Sequence, residues 1–214
     1  MCTGDGESRR CFEYTEKGWI AYDSNGNLIT TSTEISDLVK TGDEEKIQEA
    51  VVLMLQVLGY DTEENQINTT EIYDPHLKKY LPAVTMVVNG IEVTIIIAEI
   101  EHGAFDMTGT SGLNENGSVT VTLSIGTNVH PSTFYHILGH EMIHVEQYTS
   151  GKFGAWKEAY GRHIACALAE IEAVQWNYSQ LPYFPIAYGK RNLDQKFRVA
   201  GICMMLGICP DDWY

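Results

Sequence analysis

Long apolar stretches are missing from this 214-residue sequence: the longest, VAGICMMLGIC at 199–209, has eleven residues and is too short to span a bilayer. Basic residues are scarce, with 14 Lys plus Arg against 29 Asp plus Glu and a formal charge of −15. A field of that sign repels nucleic acid and anionic lipid, and excludes both as expected partners. Cysteine is sparse too. The five cysteines, Cys2, Cys11, Cys166, Cys203 and Cys209, are odd in number and show no CxxC spacing, so neither a disulfide scaffold nor a zinc ribbon follows. Cys2 with Cys11, or Cys203 with Cys209, could pair in an oxidising compartment; free thiols, with Cys166 buried on a helix, are the expectation. The opening MCTGDGESRRCFEY has no apolar segment behind its basic residues, so no secretory signal is expected. The reading is a protein that is cytoplasmic as synthesised or delivered within a larger exported polypeptide.

What is present suits one packed domain. The composition is 44% hydrophobic and 20% charged, ordinary for a chain that buries a core. The acidity is uneven, since residues 1–75 hold 16 acids and 5 bases while the remainder holds 13 and 9. Residues 1–42 read as an irregular acidic arm, with a hairpin signal at Asn25-Gly26, and 43–214 as a single domain. Within the domain, DEEKIQEAVVLMLQVLGY predicts a helix from Asp43 with acids in its first turn and Gly59 near its end. AVTMVVNGIEVTIIIAEIE (83–101) predicts two strands joined at Asn89-Gly90. SVTVTLSIG (118–126) alternates hydroxyl and aliphatic residues and reads as an edge strand. Helices follow over about 132–148, 156–179 and 192–207. Helix, strands, then helices is an α+β order: a small antiparallel or mixed sheet packed on helices.

The chemistry is concentrated in His140-Glu141-Met142-Ile143-His144. Residues four apart on a helix stand one above the other, so both imidazoles can reach one ion. Glu141, one position round, reaches a metal-bound water rather than the metal and is placed to act as general base. Seven histidines and nineteen glutamates scattered at random would give about 0.02 HExxH motifs per chain, so chance is a poor account of it.

GHEMIHVEQ, followed by a helix carrying ExEA, resembles the zincin metalloproteases, in particular their gluzincin branch; the resemblance spans about residues 83–180. It implies an edge strand, the HExxH helix and a later glutamate-bearing helix around one Zn2+ per chain, and a peptide or protein as substrate. The longer HExxHxxGxxH pattern is absent, with Gln147 and Ser150 where it would need glycine and histidine. The third ligand is then expected from AEIEAVQWN, as Glu170 or Glu172. The first glutamate usually coordinates in this branch, and Glu170 shares its helix face with small residues, so Glu170 is preferred. The family often supports a ligand histidine from a position four residues beyond this glutamate, which here is Val174. His163, seven residues before Glu170, is expected to face the same cleft. With Tyr148 and Tyr160 it is a candidate to steady the oxyanion formed on peptide attack. His136, one turn before His140, reads as a structural histidine or a partner of the ligands, and Glu146 and Gln147 as supports of the helix end.

The strand at 118–126 would accept an extended peptide by strand addition. YDSNGNL is similar to the short repeat of bacterial Rhs/YD-repeat proteins, in a single copy, which suggests a toxin- or effector-type protease. Two other readings compete. One is a zincin-fold binding protein without turnover. The other is a structural zinc site closed by a fourth ligand, His136 or His163.

Overall fold

The structure, a computed structural model, describes residues 2–3, 9–16, 18–181, 184 and 201. The fold is α+β, with two sheets and five helices among the described residues. The segment expected to be irregular is instead a four-stranded antiparallel sheet: β1 (Cys2–Thr3), β2 (Arg10–Thr15), β3 (Gly18–Tyr22) and β4 (Leu28–Thr31). Its cause is a short alternation in GWIAY, where Trp19 and Ala21 are buried and their neighbours half-buried. The hairpin signal at Asn25-Gly26 produces a hairpin, but with a longer loop than two residues. The Asp23 carboxylate accepts from the amides of Asn25 and Asn27 at 2.8 Å each, and Gly26 takes φ 83°. Helix α1 (Ser32–Lys40) follows directly, capped by the Thr31 hydroxyl.

Cysteine pairing also departs from the expectation of free thiols. Cys2 and Cys11 are cross-strand partners and form a disulfide. Cys166 forms no disulfide and is buried, as anticipated; Cys203 and Cys209 lie outside the described residues, as does the helix expected over 192–207 apart from Gly201.

Helix α2 (Glu44–Leu58) starts at the Asp43 cap and ends on Gly59 in a left-handed conformation, φ 109°. The second sheet has the order β5-β6-β7-β9-β8, with β5 (Asn68–Asp74), β6 (Lys79–Val88), β7 (Ile91–Glu101), β8 (Met107–Leu113) and β9 (Val119–Gly126). Only the β7–β9 pairing is parallel. Asn89 and Gly90 both have positive φ, 50° and 78°, as a tight two-residue turn between β6 and β7 requires. The expected edge strand is a correction: β9 lies inside the sheet, and β8, a segment with little strand signal, occupies the edge beyond it. With β8 on one side and β7 on the other, the backbone of β9 is fully paired, which suits its buried Val119, Val121, Leu123 and Ile125.

Three helices complete the fold: α3 (Pro131–Thr149), α4 (Lys152–Tyr160) and α5 (Arg162–Gln180). The single helix expected over 156–179 is broken at Gly161, whose φ 83° and ψ 163° no helix accommodates. No helix among the described residues is long and apolar enough to cross a membrane. One apolar core joins α1, α2, α3 and both sheets. At its end Phe184 stacks on Tyr135 at 3.8 Å and meets Phe12 and Trp19 edge-on at 4.9 and 5.6 Å, joining the N-terminal sheet to α3. Tyr135 stacks in turn on Trp176 of α5.

The closeness of α3 and α5 depends on one missing side chain. A Cβ on Gly139 would run into the six-membered ring of Trp176. Gly139→Ala is therefore expected to lower stability by about 1–3 kcal/mol, although alanine is worth about 1 kcal/mol more than glycine in an unobstructed helix. Urea unfolding of the variant beside the native protein measures this; a variant of equal or greater stability would mean that Trp176 has room to move.

Candidate metal centre

Helix α3 is buried almost all round, and its inward residues include His136, His140, Glu141, His144 and Gln147. Polar groups removed from water need partners, so their contacts define the site. The helix begins with Pro131 in its first turn and the His130 ring accepting from the Ser132 amide. Its far end is tied down through Glu146, which accepts from the Tyr60 hydroxyl and the Asn89 side chain at 3.1 Å each.

The His140 and His144 rings lie 4.9 Å apart, edge to face. Both turn Nε2 toward Glu170 of α5, at 3.5 Å for His140 and 3.1 Å for His144. Among the described residues these three side chains form a group whose ligand atoms all lie within 4.8 Å of one another. Donors at about 2.0–2.1 Å from a tetrahedral ion stand about 3.3 Å from each other. The nitrogen-to-carboxylate separations are close to that spacing, so the three side chains form a group able to hold a metal ion.

The choice between the two glutamates follows from their partners. Glu170 is buried against the histidines. Glu172 points away, where it pairs with Lys152 and accepts from the Gln147 amide at 3.1 Å. Gln147 therefore supports a ligand rather than the helix end. Its Nε2 donates to the Ala169 carbonyl and to Glu172, both of which only accept, which leaves Oε1 facing His144 Nδ1 at 2.9 Å. His144 must carry a proton on Nδ1, so the proton an incoming ion displaces is the one its Nε2 shares with Glu170.

The electrostatics match a site that exchanges protons for metal. Burial favours neutral Glu170, but hydrogen bonds from His140 and His144, and their charges, hold its carboxyl well below the ordinary range. Burial likewise opposes a charge on His144, yet the hydrogen bond to Glu170 and the charges of Glu170 and Glu141 raise its pKa above the usual value. A depressed carboxyl adds stability above its unfolded pKa of 4.5, and a raised imidazole adds it below 6.5. The metal-free pair is thus most stabilising between those values. It weakens as acid protonates Glu170 and as rising pH deprotonates His144.

Glu141 is buried but stands outside the ligand group. Gly109 of the edge strand β8 lies over it: a Cβ there would come within 2.7 Å of the Glu141 Cγ and 3.1 Å of Oε1. Tyr148, one turn beyond His144, is buried too. Burial first, then its proximity to Cys166 and to the Glu141 and Glu170 carboxylates, push its phenol pKa up, so it stays a proton donor. His163 is exposed in the first turn of α5, beside the break at Gly161, and is no member of the group. Seven residues of helix carry it about 10 Å along the axis from Glu170. Tyr160 is likewise exposed. His136 has both ring nitrogens engaged, by Asn177 and by the Phe184 carbonyl, and is not a ligand. Among the described residues neither histidine suggested as a fourth ligand is placed to serve.

Sequence reasoning missed Asn177, whose amide reaches both His136 and His140. It stands two helical turns beyond Glu170 on the same face, a signal that a search only four residues on, at Val174, passes over.

Elemental analysis should find about one metal ion per native chain, lost in Glu170→Ala and retained in Glu172→Ala; loss in Glu172→Ala alone would overturn this ligand set. Because proton and metal compete for His144 Nε2, affinity should fall by up to about tenfold per pH unit below the raised His144 pKa, read by chelator competition. A flat profile would mean that His144 does not bind. Comparison with known proteins adds no relative: no family model, no curated protein and no solved structure matches the chain.

Proposed function

We propose that the chain is a zinc-dependent metallopeptidase of the zincin kind, gluzincin-like in its ligands, with Glu141 as general base. The observation that carries this reading is the position of Glu141: a carboxylate beside the His140–His144–Glu170 group, buried, yet not spent as a ligand. Two imidazoles and one carboxylate suit zinc and leave a fourth position open, as catalytic sites require. Zinc bound there supplies a water of pKa about 7 and polarises the carbonyl under attack.

The remaining work falls to the protein. The Glu141 carboxylate takes a proton from the attacking water and returns it to the amine nitrogen as the peptide bond breaks. Tyr148 replaces His163 as the favoured oxyanion donor, because its protonated phenol is within electrostatic reach of both Glu141 and Glu170. The substrate strand is assigned to β8 rather than β9. No described strand pairs with the outer edge of β8, and its Gly109 brings the backbone close to Glu141. The effector reading gains nothing from YDSNGNL, since that heptamer is accounted for by the Asp23-capped hairpin loop.

Glu141→Gln should keep about one zinc per chain and lower cleavage of an unstructured peptide library by about 10²–10⁴-fold, followed by mass spectrometry of the products. Cleavage that survives the substitution would refute the mechanism. A zinc-loaded native protein that cleaves no member of the library would make the binding protein the better reading.

A further inference from the structure

His144 receives its orientation from Gln147, and the other histidine has an equivalent of a different construction. Asn177 lies between two rings, its side-chain amide 3.1 Å from Nδ1 of His136 and 3.1 Å from Nδ1 of His140. On its far side, His136 places Nε2 2.7 Å from the backbone carbonyl of Phe184. His136, Asn177 and Phe184 are all buried.

The polarity of this chain of contacts can be worked out from its end. A carbonyl oxygen only accepts, so Nε2 of His136 carries a proton. The polar partners of His136 are an amide and a carbonyl, with no carboxylate between them, and burial opposes a charge on the ring. A neutral ring with its proton on Nε2 has a bare Nδ1, which needs a donor. Among the described residues the NH2 of Asn177 is the donor within reach. Oδ1 of Asn177 then faces His140, whose Nδ1 must donate to it, and Nε2 of His140, 3.5 Å from Glu170, is left to share a proton with that carboxylate or to take a metal in its place.

The opposite orientation of the amide, with Oδ1 toward His136 and Nδ2 toward His140, is the one the structure records, and it makes one demand: His136 would have to be a buried cation donating from both nitrogens. A half-turn of the carboxamide about its Cβ–Cγ bond relieves it, and hydrogen bonding alone distinguishes its oxygen from its nitrogen.

We infer that His136 and Asn177 form a positioning relay, anchored on the Phe184 carbonyl, that keeps a proton on Nδ1 of His140 and so makes Nε2 the nitrogen that turns to a metal. The relay rests on the metal-centre reading, but its state is readable in the metal-free protein. Long-range 1H–15N correlation of labelled histidines, about two pH units above the ordinary imidazole value of about 6.5, should show His136 protonated at Nε2 and His140 at Nδ1. Asn177→Leu should let His140 populate both tautomers and weaken zinc binding by about 10–100-fold. Asn177→Asp should retain the acceptor toward His140, keep its tautomer and restore most of the affinity, while His136 takes up a second proton. Should Asn177→Leu fail to fold, His136→Phe releases the amide with the helix contact preserved and should mix the His140 tautomers in the same way. A native His140 with no proton on Nδ1 would overturn the relay, as would an Nδ1 proton indifferent to both substitutions. Native protein with the assigned tautomers that takes up no zinc would uphold the relay and overturn the metal reading instead.

Discussion

Burying five polar side chains on a single helix is the constraint to which the rest of the molecule answers. An amide or imidazole without a partner in a protein interior costs a few kcal/mol, and an isolated charge far more. Helix α3 carries His136, His140, Glu141, His144 and Gln147 inward, and every neighbouring element supplies something to them. Helix α5 brings Glu170, Glu172 and Asn177; the segment beyond it brings the Phe184 carbonyl; β8 brings a bare glycine over Glu141. Gly139 lets α5 approach closely enough for these contacts to form.

The two histidines of the group are oriented by amides rather than carboxylates. An amide fixes the tautomer of a ligand without adding a negative charge. With Glu170 as the one anion among the ligands and Glu141 as the one beside them, a divalent ion would leave the cluster close to neutral. This suits a largely buried site, where any unbalanced charge is penalised. The acidity of the whole chain, formally −15, therefore says little about the centre itself.

How much of this the sequence disclosed depends on whether the information was local. HExxH is a helical spacing, so His140 and His144 follow from periodicity alone, and Asn89-Gly90 announces its turn because few residues accept positive φ at both positions. Glu170 was separable from Glu172 because two residues of helix turn a side chain to the opposite side. The misplaced features have non-local causes. MTGTSGL has two glycines and no apolar alternation, so β8 exists because β9 offers it a free edge, not because of its own propensity. His163 shares a periodic face with Glu170, but a helix ending at Gly161 leaves that part of the face uncovered. The N-terminal sheet and its disulfide depend on short strands finding each other, which composition and turn signals mark only at Asn25-Gly26. Asn177 was hidden by a search at the wrong distance along the right face.

Phe184 has a consequence for the order in which the molecule is built. Its ring packs on Phe12 and Trp19 near the start of the described chain, while its carbonyl terminates the contacts that lead to His140. Nearly the whole described length separates those partners, and contacts so distant in sequence close late, after loop entropy has been overcome by nearer ones. A ribosome delivers the N-terminal sheet and the HExxH helix well before it delivers Phe184. The nascent chain thus holds both histidines before it holds the group that selects the useful nitrogen of His140, and full competence to take a metal waits until Phe184 has docked.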